Sequence, residues 1–318
     1  MRKIISLIAA AAICCLCACG TKEYTDTGSL AASDELSIVT TIFPEYDWVN
    51  EIVGDNEANI TLMLDNGVDL HSYQPTAEDI LKISEGDMCV YVGGESDEWI
   101  EGALNEAANK DMVVLNLLDI LGSSAKEEEM VEGMQGRAEE IEEAEYDEHI
   151  WLSLKNAKAL CRAIADSLSE LDPENASSYR RNADAYIKKL AALDDQYKSA
   201  VDAAAVKTLL FGDRFPFRYM TDDYGLDYYA AFSGCSAETG ASFETILFLT
   251  QKANELGLNS VIQIEGSDKK IAETIIENSN AKNILTLDSM QAVTAADSGV
   301  TYLSIMEKNL KVLKEALK

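Results

Sequence analysis

The sequence predicts an α/β protein: two (βα) lobes with parallel-type sheets, joined by one long rigid helix. Three observations carry this. Short β-branched runs alternate with amphipathic runs twice along the chain, as parallel sheets with helices on their faces require. Between the two series, residues 174–204 contain no Gly or Pro. A chain of 318 residues is also long enough for two domains, each burying its own core.

The elements follow in order. Arg2-Lys3 precede an apolar run from Ile4 to Ile13 that suits a signal peptide and is too short to span a membrane. Leu16-Cys17-Ala18-Cys19 resembles the processing site of bacterial lipoproteins, so residues 1–18 read as a signal peptide and Cys19 as the lipidated first residue. Residues 19–34, rich in Gly, Thr, Ser, Ala and Asp, read as a flexible tether. The first lobe is expected over 35–172, with strands at 36–42, 59–64, 88–92 and 112–115. Its helices run over 46–53 and from Pro75-Thr76 to Gly86, where Thr76 and Asp79 have capping-box spacing. Residues 123–148 break the pattern: Lys126 to Glu148 holds eleven acids against two bases, which reads as a solvated loop or partly disordered insertion, dispensable for a high-affinity site though able to gather cations weakly. Ser153 then caps a helix whose apolar stripe is Leu154, Ala157, Leu160, Cys161, Ile164, Leu168 and Leu171.

Pro173 stands at the first position of the linking helix, assigned to 173–205, a rod of about 45 Å at ~1.5 Å per residue. The second lobe, 206–318, repeats the first. Strands are expected at 208–211, 228–232, 260–264 and 283–287, and helices at 216–224, 243–256, 268–278 and 301–317.

The formal charge is −30, and removing Arg2 and Lys3 with the leader leaves −32. Nucleic acid is excluded as a partner, because its binding rests on neutralising phosphates with Lys and Arg. Four of the seven cysteines lie in the leader or at its processing site. Cys89, Cys161 and Cys235 are far apart, with no Cys-x-x-Cys spacing, and read as buried thiols rather than as a disulfide framework or a metal set.

The chain has two histidines, and both stand among acids and aromatics at loop-to-helix junctions: Asp69-Leu-His71-Ser-Tyr73 and Tyr146-Asp-Glu-His149-Ile-Trp151. Neutral imidazoles suit zinc, and carboxylates can complete the shell. Asp213-Arg214 and Glu265 fall just past expected strand ends, and His71 follows a strand too. In open α/β sheets that edge binds ligands, which places a metal site in the cleft between the lobes.

Gly67-Val-Asp-Leu-His71-Ser-Tyr-Gln-Pro75, Glu148-His149-Ile-Trp151-Leu-Ser-Leu-Lys-Asn156, Leu171-Asp-Pro-Glu-Asn175 and Tyr224-Gly225-Leu226 together resemble the metal-binding lipoproteins of bacterial zinc and manganese ABC importers. The resemblance covers nearly the whole mature chain. It implies capture of a divalent metal, zinc before manganese, and its delivery to an ABC permease by an extracytoplasmic, lipid-anchored monomer that is not an enzyme. It carries two metal-binding histidines onto His71 and His149. It also shows departures. Arg214 stands where the family has its third ligand, ten residues before Tyr224, and Val300 where many manganese members have an acid. Asp213 and Glu265 are therefore expected to supply the second lobe's carboxylates, with Arg214 clamping one of them as an outer support. Two other functions compete: an adhesion lipoprotein with a vestigial site, and an extracellular zinc hydrolase. The hydrolase lacks a His-Glu-x-x-His helix.

Overall fold

The computed structural model describes residues 35–65, 67–136, 145–236, 240–294 and 299–318. The leader, the tether and Cys19 lie outside them.

The first lobe runs β1 (Leu36–Thr40), α1 (Phe43–Val53), β2 (Ala58–Leu62), α2 (Ala77–Glu85), β3 (Met88–Tyr91), α3 (Glu98–Asn105), β4 (Val113–Asn116) and α4 (Leu117–Leu121). Two long helices follow, α5 (Leu154–Leu171) and α6 (Ala176–Asp202). The second lobe runs β5 (Thr208–Phe215), α7 (Arg218–Tyr224), β6 (Asp227–Ser233), α8 (Phe243–Glu255), β7 (Ser260–Ile264), α9 (Lys270–Glu277), β8 (Asn283–Leu287) and α10 (Tyr302–Ala316). Both sheets are parallel and share one topology, β2-β1-β3-β4 and β6-β5-β7-β8. Each therefore has a point where the strand order reverses, and the C-terminal strand ends there form a crevice.

Helix α6 joins the lobes because one face of it is apolar throughout. Tyr179, Ala183, Tyr186, Leu190, Leu193, Tyr197 and Val201 are buried at steps of three or four. Its first half meets α1, where the Asn182 amide donates to Ile52 O and the Tyr186 hydroxyl to Asp47 Oδ2. Its second half meets α10, where the Tyr197 hydroxyl donates to Met306 O at 2.6 Å. The helix begins at Ala176 rather than at Glu174. Asp172 accepts from the Asn175 amide and the Tyr179 hydroxyl, folding the preceding residues into a turn.

The lobes are also bonded directly. Trp151 is buried between them, its indole N–H donating to Ser289 O at 2.8 Å and its carbonyl accepting from the Tyr302 hydroxyl at 2.6 Å. Tyr302 N donates in turn to Asp47 Oδ2. The larger of two apolar cores among the described residues runs from Trp48 and Ile52 through Tyr186 to Tyr302 and Leu313. Opening the lobes would expose that core, at about 1.5–3 kcal/mol for each large side chain.

Three expectations need correction. Strand β5 extends four residues further, to Phe215, past a register shift between Phe211 and Arg214, so Asp213 and Arg214 lie on the strand and not beyond it. The following helix starts at Arg218, not at Pro216. The acidic segment is not simply solvated, since its described parts lie across the second lobe. Gln135 N donates to Ala231 O of β6, Arg218 pairs with Glu129, and Lys126 pairs with Asp222. Glu127 and Tyr146 form an antiparallel bridge that closes its two ends. Backbone bonds and neighbouring cations anchor a stretch whose composition alone would keep it in water.

Candidate metal centre

His71 sits on a single 3-10 turn, Leu70–Ser72, after β2. Asp69 caps this turn, its Oδ1 accepting from His71 N at 3.1 Å. His149 immediately precedes a second such turn, Ile150–Leu152, and Asp147 Oδ1 accepts from its backbone N at 2.8 Å. The two junctions meet at the cleft with His71 Nε2 and His149 Nε2 only 3.2 Å apart.

The other ring nitrogens are both engaged. His149 Nδ1 is 2.9 Å from Asp147 Oδ1, which fixes that nitrogen as the donor and leaves the Nε2 lone pair facing His71. His71 Nδ1 is 2.8 Å from Ser96 Oγ and 3.5 Å from Glu148 Oε2. Ser96 N donates to Glu148 Oε1, so the carboxylate that backs His71 is itself fixed. Metal-ligating histidines are oriented in this way, with one nitrogen held by an oxygen and the other presented.

The electrostatics match. Burial, then the adjacent His149 ring, pull His71 down to about 3. Burial opposes charge on His149 too, but the Asp147 carboxylate outweighs it and holds that ring above the usual imidazole value. His71 is therefore held neutral, with its Nε2 facing that of His149. Two nitrogens bound to a tetrahedral zinc at about 2.0–2.1 Å stand about 3.3 Å apart. The observed 3.2 Å is close to that edge, so a cation shared by the two nitrogens needs little movement of the rings.

Cys235, in the turn after β6, completes the group. Its Sγ and a nitrogen from each ring all lie within 4.8 Å of one another. Burial, then the carboxylates of Glu128, Asp147 and Glu148, push its thiol well up. Cys235 is thus not the buried thiol its isolated place in the sequence suggests, but lies half-buried beside the two imidazoles. The strand-end rule that picked out Asp213 and Glu265 also reaches it, once applied to β6.

The expected second-lobe carboxylates are placed differently. Asp213 and Glu265 do not belong to this group of ligand atoms. Asp213 Oδ2 accepts from Ile264 N and its Oδ1 from Arg214 N, which turns it into its own sheet. Glu265 accepts from Ser289 N at 2.7 Å, the Ser289 hydroxyl at 2.6 Å and Gln291 N at 3.3 Å. It reaches the imidazoles only through the Gln291 amide, 2.9 Å from His149 Nε2. The Arg214 guanidinium lies on neither acid. It donates to Asp69 Oδ2 at 2.5 Å, because the bulge in β5 carries it toward the first lobe. Val300 packs half-buried against the main core.

The family described as zinc-uptake complex component A, periplasmic (ZnuA), matches residues 38–316. The chain belongs to this family. The ZnuA family comprises solute-binding proteins rather than enzymes. The zinc-binding lipoprotein AdcA of Streptococcus pneumoniae (strain TIGR4) is 32% identical over 318 residues, 99% of this chain but 61% of AdcA. The chain thus spans about three fifths of that relative's length. The high-affinity zinc uptake system protein ZnuA of Bacillus subtilis is 27% identical over 98% of this chain and 96% of its own. In three dimensions, the Zn(II)-bound ZnuA-like domain of S. pneumoniae AdcA superposes with a TM-score of 0.71 at 29% identity, covering 89% of this chain and 99% of that domain. The laminin-binding protein Lbp of Streptococcus pyogenes shares the fold with a TM-score of 0.71 at 23% identity.

Proposed function

We propose that this ZnuA-family chain captures a divalent metal ion, zinc in preference to manganese, between its lobes and passes it to an ABC permease. His71 and His149 are direct ligands. Glu265 acts on His149 through Gln291, and Arg214 with Asp69 braces the turn that carries His71. Asp213 fixes the end of β5 from which Arg214 projects. The observation that carries the reading is the imidazole pair: two Nε2 atoms 3.2 Å apart, each ring held from behind by an oxygen. No described helix is long and apolar enough to cross a membrane. Cys19, left as the first residue once the leader is removed, carries the anchor, holding the protein by lipid outside the cytoplasmic membrane.

The test is calorimetric titration of metal-free protein with zinc. One ion is expected per chain, with binding lost when His71 and His149 are both replaced by Ala and the far-ultraviolet circular dichroism is unchanged. Wild-type affinity in that double variant would overturn the assignment.

A further inference from the structure

We propose that the Cys235 thiolate is a third ligand of the captured metal, and that it biases the site toward zinc. The inference rests on the imidazole-pair reading above and adds a ligand from the second lobe, where the resemblance left none at Arg214.

Four features of the structure place this sulfur. First, its Sγ and one nitrogen of each imidazole all lie within 4.8 Å of one another. A tetrahedral zinc with Zn–S of about 2.3 Å and Zn–N of about 2.0–2.1 Å needs N···S edges of about 3.6 Å, so a small closing movement suffices. Second, Gly234 lets the turn lie flat on the imidazole. A Cβ there would stand 2.9 Å from His149 Cε1 and 2.9 Å from Phe215 O, so a side chain would push the cysteine away. Third, the turn is pinned on both sides. Cys235 N donates to Glu128 Oε1 at 2.9 Å, and the Arg214 guanidinium reaches Ser236 O at 3.4 Å. Fourth, that guanidinium also holds Asp69, the cap of the His71 turn. Arg214 is thus a positioning residue, tying the Cys235 turn to the His71 turn across the cleft.

Cys235 also differs from the other two described cysteines. Cys89 and Cys161 are fully buried in the apolar core, whereas Cys235 is partly exposed at the cleft. Coordination releases the thiol proton to solvent, and the cation takes its place among Glu128, Asp147 and Glu148. A thiolate is a soft donor that suits zinc and disfavours manganese, which prefers oxygen.

The experiment loads metal-free full-length protein with Co(II), a spectroscopic stand-in for zinc, and measures zinc–manganese competition in parallel. Wild type should show visible d–d bands and a near-ultraviolet thiolate-to-cobalt charge-transfer absorption. In Cys235→Ser the d–d bands should persist while the charge-transfer absorption disappears. Zinc affinity should fall by about tenfold or more, since even outer partners of a ligand are worth about 10- to 100-fold, and manganese affinity should fall much less. Arg214→Ala should weaken the charge-transfer absorption while leaving the d–d bands. A wild-type cobalt complex with no charge-transfer absorption, or an unchanged zinc–manganese ratio in Cys235→Ser, would overturn the proposal and leave the imidazole pair standing. Loss of all stoichiometric cobalt binding in wild type would instead overturn the underlying reading.

Discussion

Asp147→Asn isolates the charge behind His149 from its geometry. Asp147 Oδ1 accepts from both His149 N and His149 Nδ1, at 2.8 and 2.9 Å. An asparagine oxygen in the same place keeps both bonds and the ring orientation, and loses only the negative charge. A hydrogen bond to a charged group is worth about 1.5–3 kcal/mol and a neutral one about 0.5–1.5. The difference, on the order of 1.4 kcal/mol, predicts about a tenfold loss of zinc affinity. The loss should depend on pH with a definite sign. Asp147 holds His149 above its usual value, so in wild type protons compete with zinc as pH falls through that raised value. In the variant this competition begins at lower pH. The deficit should therefore be largest at pH 8 and shrink toward pH 6. Zinc titration against a chromophoric chelator, at several pH values, measures both effects. An affinity equal to wild type at pH 8, or a deficit that grows toward acid, would refute the reasoning.

Two further outcomes follow from other parts of the molecule. Burial, and then Glu148, raise Asp97 from 3.8 to about 7. The folded state holds a proton there that the unfolded chain releases, so its contribution to stability falls as pH rises through that window. For a group at about 7 the change from pH 6 to pH 8 is about 1.4 kcal/mol. Asp97→Asn, which can still accept from Val92 N and Gly93 N, should flatten the pH dependence of urea unfolding in metal-free protein by about this amount. An unaltered slope would show that Asp97 is ionised in the fold. Gly234→Ala forces a methyl against His149, which is fully buried and cannot yield. It should cost about 1–3 kcal/mol of stability and weaken zinc binding as well. Wild-type values in both thermal unfolding and zinc titration would show that the turn moves freely.

The sequence by itself determined what depends on local pattern. Strand and helix alternation, the capping box at Thr76 and Asp79, and the apolar stripes of α5 and α6 are written in residue spacing, because periodic burial demands it. The histidine junctions were legible for the same reason: each combines an Asx-type cap with a short turn, a local device. Contacts between distant segments were decided only by the tertiary structure. Arg214 sits beside Asp213 in sequence, yet a bulge in β5 delivers it to Asp69, 145 residues away. Glu265 lies at the expected strand end, but the backbone N–H groups of the turn after β8 take its oxygens first. The acidic segment has no periodicity to read, and its place is fixed by Arg218, Ala231 and Tyr146, which only folding brings near. Cys235 has no neighbouring ligand in the chain. Its sulfur meets the imidazoles because two sheets of the same topology turn their strand ends to one cleft, and that approach is fixed by packing, not by spacing along the sequence.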